Sequence, residues 1–255
     1  MQLSPADDIL IRIERALDLD AEGQLIASVL SKKIAAGATH LVLDLPVGPT
    51  AKVRSQAAAI ALAHHLTIVA DGFGLKTKCV FSDGLQPVGR GIGPALEAMD
   101  VLAVLQNKPN APEDLTQRAV ALAGAALELA EKAEAGDGTQ MAILELSSGR
   151  AWSKFQAICE AQGGMRIPPR AQKQAAISAL EPGTLEAVDN RKLSRLAKLA
   201  GAPERASAGL VLHKRIGDRV DRGEPLATVH AEAGGELDYA LNYAAANGEM
   251  FKIRS

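Results

Sequence analysis

The sequence predicts an α/β fold, in which a sheet with flanking helices is followed by a small α+β domain. Strand-like and helix-like stretches alternate between residues 39 and 81, which is typical of strands joined by a crossover helix. Beyond Ile167-Pro168-Pro169-Arg170 the composition changes to short apolar runs broken by glycine and proline turns. We therefore divide the chain into a helical segment at 1–38, an α/β domain at 39–168 and an α+β domain at 169–255.

Composition and charge narrow the classes of protein to which the chain can belong. Hydrophobic residues make up 47% and charged residues 23%, and the 28 basic residues alternate along the chain with 30 acidic ones. Because no basic face is concentrated, we predict that no nucleic-acid polymer is a partner. No apolar run reaches the ~18–20 residues of a membrane span, and the first residues lack a secretory signal, so we expect no membrane partner and a cytoplasmic location.

Cysteine and histidine spacing gives no sign of a metal site. Cys79 and Cys159 lie in apolar stretches without a CxxC spacing, which predicts buried free thiols. The five histidines include the neighbours His64 and His65, but none has the spacing of metal ligands. We therefore predict neither a metal nor another cofactor.

Helix and strand signals in the first two segments predict the following elements. A helix begins after Asp20, a good N-cap, and ends at Gly37, with apolar residues at helical spacing between them. The α/β segment is predicted as strand His40–Leu45, helix Ala51–Leu66 with Thr50 as its N-cap, strands Thr67–Ala70 and Thr77–Phe81, and helices Ala95–Leu105, Pro112–Ala133 and Gly149–Gln162.

The last segment is predicted to mix short strands with two helices. Its elements are strands Ala175–Ile177 and Leu185–Val188, helix Asn190–Ala200, a small antiparallel module from Gly209 to His230, helix Glu236–Asn247 and an edge strand Glu249–Ile253. The module has the glycine and proline rhythm of hammerhead or barrel-sandwich domains in biotinyl and lipoyl carriers. No Met-Lys-Met stands in it, so we reject a carrier function.

A polar stripe runs along one edge of the first helix, where Asp20, Gln24, Ser28 and Lys32 recur at every fourth position. Residues eight apart on a helix share a face and lie ~12 Å apart. A flat ligand could therefore contact a carboxylate, a hydroxyl and an ammonium group at once. The alternative is an N-cap aspartate followed by a solvated polar edge, and spacing alone favours that alternative.

Two glycine-containing turns are further candidates for anion binding. Lys52 follows Gly48 and Thr50 in a turn that leaves a predicted strand and enters a helix, a favoured ligand position in α/β sheets. An ordinary turn with a surface lysine explains the same pattern. The loop Gly89-Arg90-Gly91-Ile92-Gly93 suggests a phosphate cradle only superficially, because it matches neither a P-loop nor a dinucleotide fingerprint, and a structural turn is favoured.

Several stretches taken together resemble the thymidine phosphorylase family, and more closely its branch that includes the AMP phosphorylases. The resemblance covers essentially the whole chain. The stretches that carry it are Pro5-Ala-Asp-Asp8, Asp18-Leu-Asp20-Ala-Glu-Gly-Gln-Leu25, Ala27-Ser-Val-Leu-Ser-Lys-Lys33, Asp44-Leu-Pro-Val-Gly-Pro-Thr-Ala-Lys52, Gln86-Pro-Val-Gly-Arg-Gly-Ile-Gly-Pro-Ala-Leu-Glu97 and Leu199-Ala-Gly-Ala-Pro203.

The resemblance implies cleavage of an N-glycosidic bond by inorganic phosphate, giving a free base and a sugar 1-phosphate, without a cofactor. Asp20 matches the proposed proton donor to the leaving base, a role that needs a raised carboxyl pKa. Ser28 matches a serine that contacts the base or nucleotide, and Lys32 a lysine that reaches a pyrimidine carbonyl. Lys52 matches a substrate-binding lysine of the AMP branch. The partners implied are a nucleoside or nucleoside monophosphate and phosphate, and we expect a homo-oligomer.

The chain also departs from the family pattern. The family's phosphate-binding glycine-rich loop and its "SGRG…TGGT" signature are not in the chain, which resembles the C-terminal portion of the enzyme. The base-gripping arginine of the thymidine branch has no match, since Arg12 is out of register. Three hypotheses follow: part of a thymidine phosphorylase, part of an AMP phosphorylase, or a scaffold or dimerisation fragment that is inactive alone.

Overall fold

Helix α1 spans Glu22–Ala35 in the structure, a computed structural model that describes residues 7, 9–11, 13 and 22–254. The helix ends because Gly37 takes a positive φ of 74°, a conformation that glycine adopts without strain. Ile26 and Leu30 are buried on its inner face. The predicted helix and its glycine stop are confirmed, whereas Asp20, the predicted N-cap, lies outside the described residues.

Strands β1 (His40–Val47) and β2 (Lys76–Asp83) form a two-stranded parallel sheet. Helix α2 (Gln56–Gly72) connects them, as parallel pairing requires a crossover of a dozen or more residues. A hydrophobic core joins the sheet to both helices, with members Ile26, Leu30, Leu45, Leu62, Leu66, Ala70 and Leu75. The predicted strand–helix–strand alternation is therefore confirmed.

Two details of that prediction were wrong. Helix α2 begins five residues later than expected, because the Ser55 hydroxyl, not Thr50, accepts a hydrogen bond from its first turn, from Ala58 N at 3.2 Å. Thr67–Ala70, predicted as a strand, is the end of the same helix. The β-branched residues there favour a strand locally, but burial of Leu66 and Ala70 at helical spacing outweighs that preference.

Four helices follow β2: α3 (Pro94–Leu105), α4 (Glu113–Leu129), α5 (Gly138–Ser147) and α6 (Arg150–Ala161). Helix α5 was not predicted from the sequence, and its N-cap residue, Asp137, makes no side-chain capping hydrogen bond. Helices α4 and α5 cross with backbones in contact: a Cβ atom on Gly124 or Gly138 would overlap the backbone of the other helix. Helix α4 also packs on the sheet, where Arg118 pairs with Asp44 at 2.6 Å.

The remaining strands form two antiparallel sheets. The four-stranded sheet has the order β3-β6-β8-β4 and the three-stranded sheet the order β7-β5-β9. The strands are β3 (Gly91–Ile92), β4 (Lys173–Ser178), β5 (Gly183–Val188), β6 (Gly209–Leu212), β7 (Arg219–Val220), β8 (Pro225–Ala231) and β9 (Phe251–Arg254). Strand β3 precedes the predicted break near residue 168, and that division stays a prediction.

Helices α7 (Asn190–Leu199) and α8 (Gly234–Ala246) pack with these sheets around a second core, and a 3₁₀ turn at Gly248–Met250 leads into β9. The Asp189 side chain caps α7 by accepting from two backbone N–H groups at 3.0 Å. Leu193 and Leu196 on its inner face are fully buried. The predicted antiparallel module, last helix and edge strand are confirmed, and the mixed α/β class holds for the chain.

No helix in the described ranges combines the length and the apolarity needed to cross a membrane.

We expect Leu193→Ala to lower the free energy of unfolding by about 2–5 kcal/mol, because it opens a cavity in the second core. Leu180, which is 81% exposed, provides the matched control, and Leu180→Ala should change stability by less than about 0.5 kcal/mol. Urea unfolding followed by circular dichroism measures both. Equal effects of the two substitutions would contradict the described core.

Candidate functional site

A polar cluster forms where three side chains of α1 converge on the carboxylate of Asp7. Lys32 Nζ lies 2.6 Å from Asp7 Oδ2, and Ser28 Oγ donates to the same oxygen at 2.9 Å. Gln24 Nε2 donates to Asp7 Oδ1 at 3.1 Å, and Lys32 Nζ lies 3.4 Å from Ser28 Oγ. Asp7 itself is 5% exposed. Because the stripe repeats at every fourth residue, these α1 side chains share one face of the helix and surround one buried negative charge.

The hydrogen bonds within the cluster determine the charge state of the Asp7 carboxyl. The hydrogen bond from the Lys32 ammonium lowers the pKa of the Asp7 carboxyl below its ordinary value, against the opposing effect of burial, and Ser28 and Gln24 add to the lowering. Asp7 is therefore an anion at neutral pH and cannot supply a proton to a leaving group. Its role is to hold Lys32 and Ser28 in place.

Lys32 keeps capacity for a further contact. An ammonium group has three N–H donors, of which Asp7 takes one, while Ser28 lies within reach of a second. The Lys32 side chain is 32% exposed, so a third donor can reach a ligand at the surface of the cluster. This geometry suits an acceptor atom such as a carbonyl oxygen or a ring nitrogen.

Ser28 and Lys32, two of the predicted site residues, are thus in direct contact, and their substrate-binding role stays a prediction. The predicted proton donor, Asp20, lies outside the described residues. Asp7 was quoted as part of the Pro5–Asp8 stretch but was given no role. No local pattern marks Asp7, because its partners Gln24, Ser28 and Lys32 lie 17, 21 and 25 residues further along the chain.

Lys52 is exposed in the turn between β1 and α2 and lines a cavity of about 450 Å³. The lining residues are Glu22, Leu25, Lys52, Val53, Arg54, Ala58 and Leu62. Leu25 precedes Ser28 by one helical turn, so this cavity and the polar cluster follow one another along α1. The cavity carries two basic side chains, Lys52 and Arg54, and Glu22 at its edge is bonded to His65 Nδ1 at 2.5 Å.

The Lys52 turn, residues 48–55, is held by its own backbone. Gly48 N donates to Val53 O and Ala51 N donates to Gly48 O, both at 3.0 Å. These two N–H groups are therefore not free to bind an anion. An anion in the cavity would be bound by the Lys52 and Arg54 side chains.

The glycine-rich loop at residues 89–93 is a structural turn and not a phosphate cradle. Four of its N–H groups donate to carboxylates of the chain itself: Gly89 to Asp114 at 3.0 Å, Arg90 and Gly91 to Asp100 at 2.7 Å, and Gly93 to Glu97 at 2.9 Å. Three carboxylates already occupy the donors that a phosphate would need and would repel it. The structural alternative favoured on sequence is therefore what the structure has.

Within residues 7, 9–11, 13 and 22–254, no three histidine, cysteine or carboxylate side chains cluster as metal ligands.

The chain is similar in sequence to a described family and to several named proteins. Residues 184–250 match the family description "Pyrimidine nucleoside phosphorylase C-terminal domain". Over 255 residues the chain is 61% identical to a protein of Chelativorans sp. (strain BNC1) named "Putative thymidine phosphorylase", covering 100% of this chain and 50% of that protein. Proteins with the same name in Parvibaculum lavamentivorans and Tolumonas auensis are 61% and 60% identical over 253 residues, covering 99% of this chain and 50% of each.

The chain therefore belongs to the thymidine phosphorylase family and corresponds to the C-terminal half of these relatives. It spans about half the length of the curated relatives that it matches.

Asp7 should make the stability of the chain depend on pH. Its folded pKa is lowered relative to ~3.9 in the unfolded chain, so its contribution is complete above that value and is lost as pH falls through the folded pKa. We expect the stability difference between the unmodified chain and Asp7→Asn to be constant above pH ~5 and to shrink below pH ~4. Urea unfolding between pH 2 and 7 measures this difference.

Asp238→Asn on the exposed face of α8 is the matched control for that series. A difference for Asp7→Asn that does not change with pH, or that follows the control, would contradict the buried ion pair.

Gly91→Ala should destabilise the fold by about 1–3 kcal/mol or more, because the new Cβ would overlap the carbonyl group of Leu96. Gly235→Ala, where a Cβ meets nothing within 4 Å, should be close to neutral or slightly stabilising. Unfolding curves give both values. If Gly91→Ala kept full stability but lost phosphate affinity in titration calorimetry, the loop would be a phosphate site after all.

Proposed function

We propose that the chain forms the base-binding side of a nucleoside phosphorylase site, in an enzyme that cleaves a nucleoside or a nucleoside 5′-monophosphate with inorganic phosphate. The observation that carries the proposal is the contact of Ser28 and Lys32 with the buried Asp7 carboxylate. The resemblance implies a base contact by Lys32, and the proposal is supported by the ion pair that fixes its partly exposed ammonium group. The complete reaction is proposed for a polypeptide of the length of the relatives.

In the proposed reaction a phosphate oxygen attacks C1′ of the sugar and the bond from C1′ to the base nitrogen breaks. The electron pair of that bond leaves with the base, where the Lys32 ammonium stabilises the developing negative charge. Asp20 is proposed to donate a proton to the base, since Asp7 is held as an anion. The nucleophile comes from solution, so positioning of the two substrates supplies much of the rate.

A second candidate is an AMP phosphorylase, which would yield adenine and ribose 1,5-bisphosphate. The observation that favours it is the pair of cations, Lys52 and Arg54, on the cavity next to the polar cluster. A 5′-phosphate is a dianion that basic side chains bind well, and a nucleoside without it would leave both cations unused. The relatives are named as thymidine phosphorylases, which favours thymidine, so we test both substrates.

A third proposal is non-catalytic, namely that the chain serves as a scaffold or a dimerisation unit. Helix α2 exposes the apolar side chains of Ile60 and Ile68, at 56% and 54%, and Phe73 directly after the helix is 66% exposed. Such a face favours association, and we propose a homo-oligomer on that ground. Because four N–H groups of residues 89–93 already donate to carboxylates of the chain, this loop gives an isolated chain no phosphate site, which favours the hypothesis of an inactive fragment.

We further propose that the two antiparallel sheets form a hammerhead or barrel-sandwich domain, supported by their four-stranded and three-stranded composition and by the family match at 184–250. A cytoplasmic location is proposed with it, because Cys79 and Cys159 are both free thiols, as a reducing compartment maintains.

Lys52→Ala should lower the affinity of the chain for AMP about tenfold and leave its affinity for adenosine unchanged, because only AMP carries the 5′-phosphate. Lys32→Ala should weaken both ligands alike. Titration calorimetry of this matched ligand pair measures the four affinities, and thymidine with its 5′-monophosphate provides the same comparison for a pyrimidine.

Lys33→Ala is the control, since Lys33 is an exposed neighbour on α1. Equal losses for AMP and adenosine in Lys52→Ala would rule out the phosphate contact. No binding of any of these ligands to the unmodified chain would contradict the proposed base-binding side.

A further inference from the structure

Asn190, the first residue of α7, connects the C-terminal region to both loops that leave the parallel sheet. Its backbone N–H donates to Thr50 Oγ1 at 3.2 Å, and its side-chain Nδ2 donates to Gly84 O at 2.9 Å. Thr50 follows β1 and Gly84 follows β2. In sheets of parallel strands, ligands bind beyond these carboxyl ends, so Asn190 contacts the region where a substrate loop is expected.

The contact with Thr50 completes the start of α7. The first N–H groups of a helix have no partner within the helix. Asp189 accepts from the N–H groups of Arg191 and Lys192, and the Thr50 hydroxyl accepts from that of Asn190. Thr50 was expected to cap the helix that follows it, but its hydroxyl serves a helix that begins 140 residues later.

The hydrogen bond from Asn190 to Gly84 supports the same turn indirectly, because Gly84 packs against that turn. A Cβ on Gly48 would overlap the carbonyl group of Gly84, so the two backbones touch. Gly84 N also donates to Val47 O at 2.9 Å. Asn190 therefore donates one hydrogen bond to the Lys52 turn itself, at Thr50. It donates a second to the backbone against which that turn packs, at Gly84.

The other polar atom of the Asn190 side chain is a buried acceptor. Asn190 Oδ1 is buried and has no hydrogen-bond partner among the described residues. A buried acceptor without a partner destabilises a fold, and departures of this kind concentrate at functional positions. An amide is nevertheless suited to this position, because its Nδ2 reaches the Gly84 carbonyl.

We propose that Asn190 is a positioning residue for the Lys52 turn, through which the C-terminal region fixes Lys52 and Arg54 on their cavity. The proposal rests on the proposed function, in which those cations bind a 5′-phosphate. It gives the region matched at 184–250 a part in substrate binding in addition to packing.

Amide hydrogen exchange by NMR tests the positioning directly. In Asn190→Ala and in Thr50→Val, we expect the Gly48 and Ala51 amides to exchange about fivefold faster, because one anchoring hydrogen bond is lost. Thr50→Ser keeps the hydroxyl and should restore slow exchange. Ser194 lies one turn further along α7 and lines with Asn190 a cavity separate from that of Lys52, so Ser194→Ala should change nothing at the Lys52 turn.

Amides of the second core, such as Leu193 and Leu196, report whether Asn190→Ala destabilises the fold as a whole. Faster exchange of the two turn amides alone supports the proposal. Unchanged exchange at Gly48 and Ala51, or the same acceleration throughout the second core, overturns it.

Ligand affinities separate this inference from the proposed function. We expect Asn190→Ala and Thr50→Val to weaken AMP several-fold more than adenosine, as Lys52→Ala does, with Thr50→Ser close to the unmodified chain. If Lys52→Ala discriminates between AMP and adenosine and Asn190→Ala does not, the inference is wrong and the proposed function stands. If Lys52→Ala does not discriminate, the phosphate contact fails and the inference fails with it.

Discussion

The site depends on one buried negative charge. The Asp7 carboxylate is almost fully removed from solvent, and three side chains of a single helix satisfy its oxygens. Breaking a buried pair by removing one partner is far more costly than the pair is favourable, so neither Asp7 nor Lys32 can be changed without consequence for the other. This coupling fixes an ammonium group at a defined place on α1, and the proposed base contact follows from it.

The remaining parts of the site are arranged around the carboxyl ends of the two parallel strands. The turn after β1 carries Lys52 and Arg54, and it rests on the backbone at Gly84 after β2. Asn190 bonds both segments from the start of α7. Arg215 makes a second set of contacts with these loops. Its guanidinium donates to the carbonyls of Pro87 and Gly89 at 2.7 and 2.9 Å and to the Asp114 carboxylate at 2.6 Å. The C-terminal region therefore holds the loops of the sheet by several hydrogen bonds and not by apolar packing alone.

Sequence reasoning predicted those features that local patterns determine. Three of these features are local in the sequence, and each is present in the structure. They are the spacing of four residues between Ser28 and Lys32, the glycine stop at Gly37 and the α/β alternation. The errors have a common cause in contacts that are distant in the chain. Thr50 looks like a cap for the next helix, but its partner is Asn190, and Thr67–Ala70 looks like a strand until burial in the core is considered. Asp7 required a contact 21 and 25 residues away to be recognised.

The glycine loop at 89–93 illustrates the same limit. Glycine spacing cannot say whether free N–H groups face a ligand or a carboxylate of the chain, and here Asp100, Asp114 and Glu97 take them. The family match and the names of the relatives agree with the resemblance that the sequence motifs together indicate.

The most direct test of the central claim is an NMR titration of the ¹⁵N-labelled chain with AMP, thymidine and inorganic phosphate separately, mapped residue by residue. The account predicts that both nucleosidic ligands shift the resonances around Ser28 and Lys32, that AMP also shifts those of residues 50–54, and that phosphate leaves residues 89–93 unchanged. Shifts confined to residues 89–93, or to the cavity lined by Ile177, Leu241 and Phe251, would contradict it.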